Sequence, residues 1–226
     1  MDALIFDFDG VLLDSEPIHL MGFQSVLREV GIELAPEAYY RKYLGYSDRD
    51  CFAVVATDRG RRFSDSQIVE MAAAKTQIMQ QAFQESSVAM PGAVRLVEEA
   101  GEAQVPLGIC SGSLRAEIEL PLDALGLRQH FEVIVADEDV QRGKPDPEGY
   151  RLTIQRLGEA AGREVAADRS LVIEDSPTGI EAARAAGTKV LAITSSYQGG
   201  ELTAADRVIH SLAEVTLADL AKMVQP

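Results

Sequence analysis

The chain has 226 residues, 46% hydrophobic and 25% charged, which is the composition of a soluble globular protein with room for one core domain and a smaller insertion. Asp and Glu number 36 against 21 Lys and Arg, a formal net charge of −15. A surface this acidic repels nucleic acid and anionic membranes, so neither is expected as a partner, and any anionic substrate must be drawn in by local cations or a metal.

The N-terminus runs straight into an apolar stretch with no basic leader region. No later stretch approaches the ~20 apolar residues of a membrane span, and a cytoplasmic, reduced protein is expected. Cys51 and Cys110 lie in different segments without a CxxC or His-rich neighbour, and read as small hydrophobes.

The first apolar run, Ala3-Leu4-Ile5-Phe6, predicts a strand over residues 2–8 that ends in Asp7-Phe8-Asp9-Gly10. Two acids at the end of a buried strand are costly unless a cation or several hydrogen bonds stabilise them, which marks a functional site. The strand period turns both toward the same side, and Gly10 permits a sharp turn beyond them. Such a pair suits a carboxylate that attacks or binds metal beside one that carries protons.

Residues 16–87 contain no convincing strand and predict an inserted all-α unit. Phe23, Val26, Leu27 and Val30 share one helix face, stopped by Gly31. A later helix capped by Ser64 presents Ile68, Met71, Ala72, Met79 and Ala82. Asp14-Ser15 and Met90-Pro91-Gly92 read as the two linkers, and a unit joined through two linkers can close as a lid.

From residue 88 onward strands alternate with helices. Strands are predicted at Val105-Cys110, Val133-Ala136, Ser170-Glu174, Lys189-Ile193 and Arg207-Ile209, and helices at Ala93-Ala103, Leu114-Leu125, Pro147-Leu157, Pro177-Ala186 and Leu217-Met223. Gly126, Gly158 and Gly187 are the expected helix stops. The fold class is α/β, a Rossmann-like doubly wound parallel sheet with an inserted all-α helical-bundle cap: residues 1–15 and 88–226 form the core, and 16–87 the cap.

In such a sheet ligands bind at the carboxyl ends of the strands. Those positions hold Asp7 and Asp9, then Ser111-Gly112-Ser113, then Gly143-Lys144-Pro145-Asp146-Pro147, then Glu174-Asp175-Ser176-Pro177. Ser111 and Gly112 at a helix start can seat a phosphate, although a Ser-Gly-Ser turn is ordinarily a helix cap. Lys144 in a stiff turn places a cation, although an exposed loop lysine is the default. Glu174 and Asp175 could hold a hard cation such as Mg2+ alongside Asp7, while Asp175 or Ser176 could simply cap the next helix.

The order of these four loops resembles the haloacid dehalogenase-like superfamily over essentially the whole chain. Asp7 to Glu16 is similar to its first motif, Ser111 to the second, Gly143 to Pro147 to the third, and Glu174-Asp175 to the fourth. The helical insertion between the first two resembles the subgroup of β-phosphoglucomutase and small phosphatases. The resemblance implies that Asp7 is the nucleophile forming an aspartyl-phosphate, and that Asp9 is the proton carrier with a pKa raised toward neutrality. It implies Mg2+ bound by Asp7, the Asp9 carbonyl and Asp175, with Glu174 close by, and phosphoryl oxygens held by Ser111, Gly112 and Lys144.

Members similar to the dehalogenases or cleaving carbon–phosphorus bonds lack the second acid, so Asp9 implies transfer from oxygen. The phosphonate-cleaving members also need a lid lysine. Lys42 is the sole lysine between residues 16 and 74, and nothing around it indicates desolvation. Mutase-like members carry a lysine before the lid glycine and an arginine three places after it; here Leu44 and Asp48 flank Gly45 at those positions, with Arg49 one place further on. The resemblance therefore implies a phosphatase of a small phosphorylated metabolite, a sugar or polyol phosphate, with a β-phosphoglucomutase-like phosphomutase as the alternative and a non-catalytic phospho-ligand binder as a third reading. Arg49, Gly45 and His19 are the expected cap residues for substrate, and a monomer is expected.

Overall fold

The computed structural model describes residues 1–44, 46–85 and 88–225. The chain divides into two compact units, Met1–Asp14 with Ser87–Pro226, and Ser15–Ser86. In chain order the elements are β1 (Ala3–Phe6), α1 (Glu16–Glu29), α2 (Pro36–Ala38), α3 (Asp48–Asp58), α4 (Asp65–Glu85), α5 (Ala93–Glu102), β2 (Leu107–Cys110) and α6 (Arg115–Ala124). There follow β3 (Val133–Val135), α7 (Glu148–Ala161), β4 (Ser170–Glu174), α8 (Pro177–Ala185), β5 (Lys189–Ile193), β6 (Arg207–Ile209) and α9 (Leu217–Met223).

The six strands form one parallel sheet in the order β3-β2-β1-β4-β5-β6. Parallel strands are covered on both faces, which is why Ala3-Leu4-Ile5-Phe6 and Leu171-Val172-Ile173 are unbroken apolar runs rather than alternating ones. The chain passes from β1 outward to β3, then returns to the other side of β1 for β4 to β6. That reversal makes a topological switch point at the carboxyl end of β1, where an open sheet leaves a crevice. α5 buries Ala93, Leu96, Val97 and Ala100 at helical spacing, each leucine-sized side chain contributing roughly 1.5–3 kcal/mol.

The outgoing and returning chains run side by side: Met90 N–H donates to the Leu12 carbonyl and Asp14 N–H to that of Val88, each at 2.9 Å. Gly92 then turns the backbone at φ +88°, and a Cβ there would overlap the backbone of Leu212 and Ala213. Both conditions demand glycine.

In the helical unit, α1 ends at Gly31 with φ +72°. Phe23 meets Phe52 edge to face and Tyr39 at a tilt, with centroids 5.1 and 5.7 Å apart, and α4 packs on α1 and α3. Ser64 and Gln67 form a reciprocal cap before α4: Gln67 N–H donates to Ser64 Oγ at 3.3 Å, and Ser64 N–H to Gln67 Oε1 at 2.9 Å. Between α2 and α3 the chain makes one π turn, Tyr39–Tyr43. No helix among the described residues is long and apolar enough to cross a membrane. Cys51 and Cys110 are buried free thiols, both pushed up to about 12 by burial.

One expected stop is corrected. α7 runs through Gly158 to Ala161 and ends at Gly162 with φ +63°. Gly158 serves close packing, since a Cβ there would press on the Arg163 carbonyl.

Candidate active site

The site is assembled at the carboxyl end of β1 from the loops after β1, β2, β3 and β4. Asp7 N–H donates to the Ile173 carbonyl at 2.9 Å, extending the β1–β4 ladder one residue past the strand. Strand alternation stops there. Phe8 to Leu13 fold into a tight turn in which Leu12 N–H donates to the Phe8 carbonyl, with Gly10 at φ +70°. The two acids take different partners. Asp7 meets Lys144, whereas Asp9 Oδ2 accepts from Ser113 Oγ at 2.5 Å.

Lys144 Nζ lies 2.6 Å from Asp7 Oδ1 and 2.6 Å from Glu174 Oε1. Its side chain is 18% exposed, so it is not a solvated loop lysine. Glu174 is fully buried, and its oxygens are saturated. Oε1 accepts from Lys144 and from the Tyr150 hydroxyl at 2.7 Å; Oε2 accepts from the N–H groups of Asp175 and Ser176 and from Ser176 Oγ, at 2.9, 3.1 and 3.0 Å. Ser176 Oγ in turn accepts from Gly179 N–H at 3.1 Å, so the expected capping role falls to Ser176. Asp175 Oδ2 accepts from Ser196 and Ser195 hydroxyls in the loop after β5, at 2.5 and 3.2 Å.

Asp7, Glu174 and Asp175 offer oxygens all within 4.8 Å of one another. Three carboxylates against one ammonium leave two negative charges uncompensated. Burial, reinforced by the Glu174 and Asp9 charges, pushes Asp7 up to about 7 against the pull of Lys144. Burial and the charges of Asp7 and Glu174 drive Asp175 well above its ordinary value. Burial also opposes the Glu174 anion, but Lys144 and the hydrogen bonds around it hold its carboxyl below the usual range. The same two acids overcome the desolvation of Lys144 and raise it.

A hard divalent cation fits this deficit, because every donor is oxygen and the missing charge is two. Among the described residues, Asp7 Oδ2 and Asp175 Oδ1 carry no hydrogen bond, so both could serve as ligands. Glu174 is committed to holding Lys144 and the β4–α8 turn in place. Gly179 makes room for it, as a Cβ there would overlap the Glu174 carboxylate. Gly179→Ala is expected to displace Glu174 and lower divalent-cation affinity by roughly 10–100-fold, the usual effect of losing a group that orients ligands; calorimetric titration with Mg2+ checks it.

The Ser111-Gly112-Ser113 turn is not the helix cap. α6 starts at Arg115, and its entry is held by Glu117, whose Oε2 accepts from Leu114 N–H at 3.2 Å. Ser111 Oγ instead accepts from Ser113 N–H at 3.0 Å, while Gly112 N–H has no acceptor among the described residues. Asp7, Asp9, Ser111, Gly112, Lys144, Glu174 and Asp175 thus all belong to the strand ends and following loops at the carboxyl end of the sheet.

The cap residues lie in the other unit. His19 is on α1, Arg49 is exposed on α3, and Gly45 lies outside the described residues. Sequence reasoning passed over Lys75, one residue past the stretch searched for a lysine. It is 0% exposed, with Nζ 2.5 Å from Asp48 Oδ1, 2.9 Å from His19 Nδ1 and 4.3 Å from the Phe23 ring centroid. An ammonium so engaged is not presented as a free amine for Schiff-base formation. Tyr150 and Ser196 were also missed, and Ser113 was read only as part of its turn; a tyrosine among the buried positions of α7 was the readable signal, since a buried hydroxyl needs a partner.

Comparison with known proteins follows the same line. A family model described as haloacid dehalogenase-like hydrolase matches residues 4–193. Validoxylamine A 7'-phosphate phosphatase of Streptomyces hygroscopicus subsp. limoneus is 29% identical over 211 residues, which cover 93% of this chain and 94% of that protein. Fructose-1-phosphate phosphatase YqaB of Escherichia coli is 31% identical over 185 residues, covering 82% and 92%. The crystal structure of CbbY from Rhodobacter sphaeroides in complex with phosphate is similar with a TM-score of 0.84 at 27% identity, covering 97% of this chain and 99% of that one.

Proposed function

Since the chain belongs to the haloacid dehalogenase-like hydrolase family, we propose that it is a Mg2+-dependent phosphatase of a small sugar or polyol phosphate, acting through a phosphoryl group carried on Asp7. The observation that carries this reading is Asp7 itself: one oxygen is fixed by Lys144, and its carboxylate clusters with those of Glu174 and Asp175, their oxygens within 4.8 Å of one another. A carboxylate held in one orientation needs no base to attack phosphorus. Asp7 and Asp175 would hold Mg2+, which would supply the charge that keeps both acids ionised and offsets that of the phosphate. Ser111 Oγ, Gly112 N–H and Lys144 hold phosphoryl oxygens. Asp9, oriented by Ser113, protonates the leaving alkoxide and later takes a proton from water.

Two similar proteins are named for phosphatase action on phosphorylated small molecules, which supports the substrate class. Hydrolysis is preferred to isomerisation because Leu44 and Asp48 replace the mutase lysine and arginine, and Asp48 is engaged with Lys75. Incubation with Mg2+ and a panel of sugar and polyol phosphates tests the reading. Stoichiometric release of inorganic phosphate is expected; isomerised sugar phosphate without release overturns it.

A further inference from the structure

The helical unit carries a polar groove whose basic groups the chemistry above does not use. It has a volume of about 350 Å3 and is lined by Gln24 and Arg28 of α1, Ile32, Glu33 and Leu34 of the following turn, and Arg59 after α3. In a protein of net charge −15, arginines ordinarily find acids, and in the other unit Arg95, Arg115 and Arg169 pair with Glu99, Asp139 and Asp2. The helical unit differs. Its lysines take Asp58 and Asp48, but among the described residues none of its six arginines makes a close ion pair with a carboxylate, the charge of Arg59 acting on Asp58 only at longer range.

We propose that this groove is an anion site that binds a small phosphorylated metabolite through Arg28 and Arg59. Arg59 is held for the task, its Nη2 donating to the Glu33 carbonyl at 3.0 Å, which leaves the rest of the planar fork for a ligand. Two guanidinium forks match the geometry and charge of a phosphate dianion better than any neutral ligand. The Gln24 amide nitrogen donates to the Leu34 carbonyl at 2.8 Å, which leaves its oxygen as an acceptor. That oxygen and the Glu33 carboxylate suit hydroxyl groups on the ligand, while buried Ile32 and Leu34 form an apolar floor. The volume lies within the range of small-molecule sites. The site is independent of the proposed hydrolysis, because no residue of the acidic cluster belongs to it.

Titration of the metal-free protein with inorganic phosphate, read by proton–nitrogen NMR, tests the proposal without turnover. Saturable shifts are expected at the Arg28 and Arg59 Nε–H groups and the Gln24 side-chain amide. Arg28→Gln and Arg59→Gln should each weaken this binding about tenfold. Phosphate-dependent shifts at the Ser111 to Ser113 amides serve as the internal control and should be unchanged in both variants. Arg28 makes no hydrogen bond or ion pair through its side chain among the described residues, so its replacement tests charge rather than folding. Shifts that rise linearly without saturation, that persist in the Arg28→Gln/Arg59→Gln double variant, or that occur only at the Ser111 loop overturn the proposal.

Discussion

Asp7→Asn is expected to lower kcat by at least about 10^4-fold, since an amide cannot carry the phosphoryl group. The same change should stabilise the metal-free protein at neutral pH. Burial raises the Asp7 carboxyl from 3.8 to about 7 in the folded protein. Its protonated form therefore favours folding fully below about pH 4, and that contribution is lost as pH rises toward 7. Above pH 7 the wild type holds an ionised Asp7 that burial disfavours, whereas asparagine still accepts from Lys144 and does not titrate. Melting temperatures in EDTA should differ least below about pH 4 and should favour the variant increasingly up to pH 8, by an amount equivalent to roughly 2–4 kcal/mol. Saturating Mg2+ should reverse the order, because the wild type alone keeps both carboxylates. Retained turnover in the variant would place the nucleophile elsewhere, and a wild type that gains no stability in Mg2+ would remove the cation from Asp7.

The parts of this arrangement that could be read from the chain are those in which a residue contradicts its local setting. Apolar runs without alternation marked the strands β1 to β5 as covered on both faces, and acids at the ends of such runs stood out because solvation alone cannot explain them there. What stayed hidden depends on partners far away in sequence. Met71, Lys75 and Met79 are spaced four apart on one face of α4, yet a pattern of polar and apolar residues scores the lysine as solvated. Its burial follows from Asp48 and His19, which lie 27 and 56 residues away. Tyr150 reads as one more core aromatic until Glu174 is seen beneath its hydroxyl. Gly158 misleads for a related reason: glycine is chosen there for the approach of residue 163, a tertiary fact, and helix termination falls to Gly162, where φ is positive.

Lys144→Met is expected to cost about 3–5 kcal/mol of stability in the absence of divalent cations, the range for removing one partner of a buried ion network. The loss falls chiefly on Glu174, which is fully buried and whose carboxyl is held low by the ammonium. Without Lys144, the three clustered acids face one another with no intramolecular cation between them, and protons or metal must replace it. Because Glu174 is then raised rather than lowered, the variant should become less stable as pH climbs from about 5 to 8, a slope that denaturant titration in EDTA can measure. Mg2+ should recover part of the loss, because a cation at Asp7 and Asp175 also lowers the field at Glu174. The double variant Lys144→Met/Glu174→Gln separates the causes: if the penalty is an unpaired buried charge, it should regain most of the lost stability, although catalysis stays absent for want of the cation that positions Asp7. A double variant no more stable than Lys144→Met would mean that packing of the lysine stem over the Tyr150 ring, 5.1 Å from Nζ to its centroid, rather than charge, holds this edge of the sheet together.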